Sequence, residues 1–436
     1  MRINVKKGRV ISIMRGRSKL VAIFAAVLLG ATALSGCSGS DEEADKVIRI
    51  GMPSPGESGQ AVWDAAIAKF KEANPGWEVE LIIQDDDIYS TVGLQGLLTG
   101  GNPPDAYFEW AGARTVQREA DGFATDLTDA IANSTLKDLF PENAFNSGKS
   151  NGKTLLLPTG SDVTNVMWYD VETFKKLGIT VPNTWDELLA ACEKIKAAKQ
   201  NCFSVGNKDY WVAGNFFGHL YSRVIGESAY HEIMTRETPM NSPELVKAYG
   251  VLANLQKSGY INASANSIAD NEGYTLFFKG GAAMLPIGSW LVSIAQEEAP
   301  TKQIDWFNLP AFSDGAGDQT SVLGVTTGYV VNSQSKKIDH TVKFFEAFFS
   351  EEITAKWLEA GAAPLTKAAA SGNLNPLQKR LVDLMTSGGT IVAPPDTGYD
   401  LKIADALNVA TAEVMGGVKT PQQALDNAEA KLAASD

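Results

Sequence analysis

Apolar and polar positions alternate through Val47-Ile-Arg-Ile-Gly51, which predicts a strand. Beyond the Pro/Gly/Ser loop of 52–59 the period changes. Val62, Ala66 and Phe70 share one helical face with Trp63 and Ile67 beside them, and Asn74-Pro75-Gly76 stops that helix. Val79, Leu81 and Ile83 alternate in a second strand. Leu94, Leu97 and Leu98 mark a second helix that ends at Gly100-Gly101, and Ala106-Tyr-Phe reads as a third strand. Strand, helix, strand, helix, strand argues for a parallel sheet with crossover helices.

Further along, Leu155-Leu-Leu-Pro158 and Asn165-Val-Met-Trp-Tyr169 read as two apolar strands with a polar joint between them. Thr184-Trp-Asp-Glu187 has the spacing of a capping box, ahead of a helix that buries Leu188, Cys192 and Ile195 and ends near Lys199. Ser242 with Pro243 opens another helix, which Gly259 closes. Val322–Val331 reads as a strand broken by two glycines. Asp339 and Ser350 are placed to cap two helices carrying Val342, Phe345, Phe349 and then Ile353 and Trp357. Thr420-Pro-Gln-Gln423 caps the last helix, which buries Leu425, Ala428 and Leu432.

The most informative stretch is 277–292. Phe277-Phe-Lys-Gly-Gly281 leads into Ala282–Ile287, apolar and short enough for a buried strand, followed by Gly288, Ser289 and Trp290. A Trp just past such a strand sits at its carboxyl end, where open α/β sheets bind ligands. The other reading is a core Trp.

Together with two further segments, this stretch resembles a known family. Phe277–Trp290 is similar to the F-x-x-G-x-x-A-M-x-x-x-G-x-W signature of family 1 extracellular solute-binding proteins of ABC importers, in the sugar-binding branch. Gly178–Leu189 resembles that family's G-x-x-x-P-x-T-W-D-E-L, and Gly100–Trp110 its G-x-x-P-D-V segment. The three occur in the family's order, and the resemblance runs from about Val47 to the C-terminus. It implies an α/β fold of the type II periplasmic-binding-protein kind, two lobes with a ligand cleft between them. Residues 47–160 and 327–372 would build the N-lobe, and 161–326 with 373–436 the C-lobe. It also implies a monomeric receptor that passes an oligosaccharide to the membrane permease subunits of an ABC transporter.

A site for neutral polyols needs aromatic faces for sugar rings and carboxylates or amides for hydroxyls. Such residues stand at loop positions: Glu57 and Ser58, Glu109 and Trp110, Asp162, Asp209-Tyr210-Trp211, Ser289-Trp290 and Tyr399. Asp85 opens an acidic run after the second strand and offers one acceptor. In the maltodextrin-type members that these segments resemble, loops matching Glu57, Asp162, Tyr210/Trp211 and Trp290 contact sugar.

Other chemistries lack their residues. The chain has three histidines, no Cys/His cluster with zinc-ligand spacing, no phosphate-cradling Gly-Lys-Ser/Thr loop and no Gly-x-Ser-x-Gly elbow. No cofactor or metal is expected, and binding is expected rather than catalysis. A secreted glycoside hydrolase, needing two carboxylates across a scissile bond, is the rival class. A receptor for a peptide, polyamine or glycerophosphate is the rival among binding proteins.

The first 36 residues hold seven of the 38 basic residues and no acid, so the remainder carries 31 basic against 51 acidic residues, a net charge of −20. That charge excludes a nucleic-acid footprint and suits a solvated surface. The same 36 residues join a basic segment to the apolar run Leu20–Leu29, too short for a membrane span but suited to a signal peptide. Leu34-Ser-Gly-Cys37 then resembles a lipobox, with Cys37 as the acylated residue and 37–46 as a polar tether that places the protein on the extracytoplasmic face of the membrane. Outside the cytoplasm, Cys192 and Cys202 are placed to bridge, the alternative being two buried thiols.

Overall fold

The computed structural model describes residues 46–387 and 389–434. The expected signal segment, Cys37 and all of the tether except Lys46 lie outside them.

The chain opens as read: β1 (Val47–Pro53), α1 (Gly56–Ala73), β2 (Glu78–Gln84), α2 (Leu94–Thr99), β3 (Ala106–Trp110), α3 (Ala113–Ala120). β1 pairs in parallel with β2 and β3. β4 (Leu157–Val163) and β5 (Val166–Asp170) follow, then α4 (Trp185–Ala197), β6 (Asn201–Phe203), α5 (Trp211–Ile225), α6 (Glu227–Met234), α7 (Pro243–Lys257) and α8 (Asp270–Phe278). Next come β7 (Ala282–Ile287), α9 (Leu291–Glu298), β8 (Ile304–Phe307), β9 (Val322–Val331), α10 (Ile338–Phe348) and α11 (Glu351–Glu359). The chain finishes with α12 (Pro376–Ser387), β10 (Ile391–Val392), α13 (Pro395–Gly398), α14 (Leu401–Met415) and α15 (Pro421–Ala433).

Two sheets define two lobes. The N-lobe sheet runs β10-β9-β3-β1-β2, with β4 paired to the other edge of β9, and the C-lobe sheet runs β8-β5-β7-β6. Helices cover both. Trp63 and Phe70 of α1 pack on Phe344 and Phe348 of α10 in the N-lobe. The C-lobe core gathers Trp168, Phe203, Phe216, Tyr249 and Leu425.

The strands that join the lobes differ from the pattern reading. The polar joint Thr159-Gly-Ser-Asp162 is not a break but the middle of β4, antiparallel to β9. Its backbone is held by the partner strand, so its side chains are free to be polar at the cleft. β9 is likewise continuous through its glycines, with a register irregularity at Thr327/Gly328. A Cβ on Gly328 would come within 2.2 Å of the Leu157 carbonyl, so the glycine serves close strand approach rather than a break. Val322 and Leu323 belong to the C-lobe core, and Tyr329 and Val331 to the N-lobe core.

Local signals explain several helix starts. Thr184 and Glu187 form the capping box, Ser242 accepts from Leu245 N–H, and Thr420 pairs reciprocally with Gln423. Asp339 does not cap. α10 begins one residue earlier, at Ile338, which leaves Asp339 inside the first turn. Ser350 stands at the N-cap of α11, but its hydroxyl donates to the Ala347 carbonyl instead of accepting from the helix. Cys192 of α4 and Cys202 of β6 are joined across the turn, with 5.1 Å between their Cα atoms.

Candidate functional site

A cleft of about 710 Å³ lies between the lobes. Its N-lobe wall is Met52–Pro55 at the end of β1 and Phe108, Ala111 and Gly112 at β3. The crossing strands supply Thr159–Asp162 and Gly324–Thr327 as its floor, and Ser289, Trp290 and Ser293 come from the C-lobe. These are mostly carboxyl ends of strands, as expected of an open α/β sheet.

Trp290 is the N-cap of α9. Its six-membered ring lies over Gly288, where a Cβ would stand 2.0 Å from Cζ3, so the glycine makes room for the indole. The indole N–H donates to the Tyr274 hydroxyl at 3.2 Å, and Tyr274 donates to Asp270 Oδ2 at 2.7 Å. Trp211, at the start of α5, lies 5.9 Å from Trp290 ring to ring. Tyr210 beside it is exposed with φ of 69°, and the Asp209 carbonyl accepts from Trp211 N–H.

Asp162 accepts from the Ser289 hydroxyl at 2.9 Å. Burial pushes its carboxyl up, against the hydroxyls of Ser289 and Thr327, which stabilise the charge. Asp162, Ser289 and Trp290 therefore form one group on the cleft wall. The Asp85 carbonyl accepts from Tyr89 N–H, and its carboxylate stands 3.4 Å from Ile88 N, but Asp85 is not among the residues that line the cleft. Asp86 accepts from Ser54 N–H at 3.1 Å. Loss of hydration, with Asp270 of the facing lobe and Asp85 adding repulsion, pushes Asp86 up to about 6.

Nine of the twelve candidate residues lie outside the cleft lining: Asp85, Asp209, Tyr210 and Trp211 described above, and the five that follow. Glu109 is wholly buried and meets Arg114 at 3.0 Å and Arg118 at 2.9 Å, so both its oxygens are committed inside the N-lobe. Trp110 packs on Phe108 and lies under the Arg114 guanidinium, 4.7 Å from its centroid, away from the cleft lining. Tyr399 is buried against Tyr230 and His231, and burial pushes its hydroxyl up to about 12. Glu57 lies in the first turn of α1 and faces a shallow outer recess with Gln60 and Asp64. Ser58 instead bridges the lobes at the rim, its hydroxyl and N–H donating to Glu297 Oε1 of α9 at 2.5 and 3.1 Å.

Pattern reading missed Tyr274, Asp270 and Glu297. Tyr274 falls on the apolar face of α8, and nothing local separates it from a core residue; Asp86 was visible as part of the acidic run. The histidines serve packing: His219 is buried between Asn165 and the Ser321 carbonyl, and His340 stacks on Trp77 at 3.7 Å. No group of His, Cys, Asp and Glu among the described residues is arranged to hold a metal ion.

Known proteins share this architecture. A chitin oligosaccharide binding protein of known structure superposes with a TM-score of 0.80 at 22% identity, over 89% of this chain and 98% of that one. The multiple sugar-binding protein of Streptococcus mutans is 23% identical over 72% of this chain and 74% of its own length. The sn-glycerol-3-phosphate-binding periplasmic protein UgpB of Salmonella typhimurium is 24% identical over 86% and 88%. Residues 53–355 match the family described as bacterial extracellular solute-binding protein, and the chain belongs to that family.

Proposed function

We propose that the chain captures an oligosaccharide outside the cell for an ABC importer, closing its lobes on the sugar as a monomer and delivering it to the permease subunits. The observation that carries this reading is Trp290 beside Asp162 and Ser289 in the cleft lining, with Trp211 packed 5.9 Å from its ring. Flat indoles take the apolar faces of sugar rings, and the carboxylate and hydroxyls take ring hydroxyls. The sugar-binding relatives support the same ligand class.

The glycerophosphate-binding relatives favour a phosphorylated ligand. The lining argues otherwise, because it contains no Lys or Arg among the described residues, and phosphate recognition enlists those side chains. Asp162 is the one carboxylate in that lining, whereas a glycosidase needs two. A thermal-shift screen across mono-, di- and trisaccharides and glycerol 3-phosphate tests the reading. A bound sugar at about 100 times its Kd raises stability by about 2.7 kcal/mol. A shift with glycerol 3-phosphate alone overturns the carbohydrate reading, and a cleaved product in the same mixtures would make the protein a hydrolase.

The lipobox at Leu34–Cys37 supports attachment by a lipid on Cys37 at the extracytoplasmic face. More than one acyl chain is needed for stable anchoring. Cys37→Ser is expected to release the protein into the medium; a variant retained on the membrane counts against the lipid.

A further inference from the structure

The N-lobe wall of the cleft differs in kind from the floor and the C-lobe side. Asp162, Thr327, Ser289 and Ser293 make those two polar. The N-lobe wall is led by Trp357 of α11, with Pro364 and Leu365 after it and Met52 and Pro53 at the end of β1. The rings of Trp63, Tyr329 and Phe348 back it. Beyond the two indoles, its side-chain polar atoms are the hydroxyls of Ser54, Ser147 and Tyr329; the described residues give this wall no carboxylate, amide or cation. Trp357 and Leu365 are half-buried, so both keep surface to offer. Trp357 stands 5.7 Å from Phe348, ring to ring, and its Nε1 is buried without a partner, as fits an apolar setting.

The apolar wall and the polar group share one space of about 710 Å³. Gly361, four residues after Trp357, meets α9: a Cβ on it would lie 3.5 Å from the Ser293 Cα, and the Ser293 hydroxyl donates to the Trp290 carbonyl at 2.9 Å. Ala363 stands near the floor, its carbonyl 3.9 Å from where a Cβ on Gly160 would be. We propose that the captured sugar carries an apolar aglycone, aryl or short alkyl, which lies on Trp357 and Leu365 while the sugar is held at Asp162, Ser289 and Trp290. This rests on the carbohydrate reading and narrows it to glycosides with one apolar end.

The chemistry of the wall selects the occupant. A further sugar ring there would bring several hydroxyls, each needing a partner, and a buried hydroxyl left without one is costly. An aryl or alkyl group needs no partner and gains by leaving water. An aryl ring also matches the indole of Trp357, ring on ring.

The test compares methyl and phenyl β-glycosides of glucose, galactose, xylose, cellobiose and di-N-acetylchitobiose, each beside its free sugar, by calorimetry. The variants are Trp357→Ala and Leu365→Asn, with thermal melting as the control for folding; the second leaves the Trp357 packing on Phe348 in place. In the parent, the phenyl glycoside of the best sugar is expected to bind about tenfold or more tighter than its methyl counterpart. In each folded variant that ratio is expected to fall to about twofold or less. A ratio is read because a merely structural defect lowers both affinities together. Equal binding of methyl and phenyl glycosides by the parent overturns the apolar subsite and leaves the Trp290 platform standing, and so does a parent that binds free sugars and neither glycoside. A phenyl advantage kept in both variants overturns the assignment to Trp357 and Leu365. A parent that binds neither sugars nor glycosides overturns the carbohydrate reading and this subsite with it.

Discussion

Replacing Trp290 by Ala removes the largest aromatic face that Ser289 and Asp162 flank in the cleft. Stacking on an aromatic ring is worth about 1–3 kcal/mol by analogy with bases on aromatic side chains. At about 1.4 kcal/mol per decade, Trp290→Ala is expected to weaken sugar binding by roughly tenfold to a hundredfold. The surroundings refine that figure. The indole is tied by its N–H to Tyr274, which is tied to Asp270, so the ring is held in place before ligand arrives. A pre-positioned ring loses little rotamer freedom on binding, which puts the expected loss toward the upper end. Trp290→Phe keeps a smaller face and loses only the tie, so its loss is expected to lie between parent and Ala. Calorimetry with the best sugar from the screen gives the affinities, and circular dichroism with thermal melting shows that the variants fold. If folded Trp290→Ala binds as the parent does, Trp290 is a packing residue and the platform assignment fails.

Glu109→Ala leaves Arg114 and Arg118 buried without their carboxylate; a loss of about 3–5 kcal/mol is expected by chemical denaturation, and a loss under 1 kcal/mol refutes the buried triad. Burial, with Asp270 and Asp85 nearby, raises the Asp86 carboxyl to about 6, so it carries no penalty below about pH 4, and the penalty grows between about pH 4 and 6 and is full above that. Asp86→Asn is therefore expected to melt above the parent at pH 8 and level with it at pH 4, and an equal difference at both pH values refutes the assignment. Joining Cys192 and Cys202 closes a loop of sequence separation 10, and replacing both by Ser is expected to cost about 3 kcal/mol. Two free thiols in protein isolated without reductant would sink that expectation.

What could be read from the sequence was local. The boxes at Thr184 and Thr420 need only two residues three positions apart, and both formed as spaced. β1 and α1 show clean periods because one face of each is buried within a single lobe. Trp290 was legible because a short apolar strand, a glycine and a Trp stand in a row, and that order alone puts the Trp at a strand's end. The failures are long-range. Glu109 sits at a strand end like a ligand acceptor, and only Arg114 and Arg118, five and nine residues on, reveal it as part of an internal ion cluster. Tyr399 is buried by His231 and Tyr230, about 170 residues earlier in the chain. Thr159–Asp162 looks like a turn because its polar side chains face the cleft, while the pairing that makes it a strand comes from Gly324–Thr327.

The rim contact between Ser58 and Glu297 bears on the protein's idle time. It is exposed, so the clasp is worth at most about 1 kcal/mol, less than an order of magnitude in population. A permease that takes up closed receptors meets empty ones in proportion to how often they shut unaided. A weak clasp keeps that proportion small and leaves the sugar to decide when the lobes stay shut. Strengthening it, with Arg in place of Ser58 facing the carboxylate, would hold empty receptors shut. They would then compete with loaded ones, and transport would slow as receptor abundance rose.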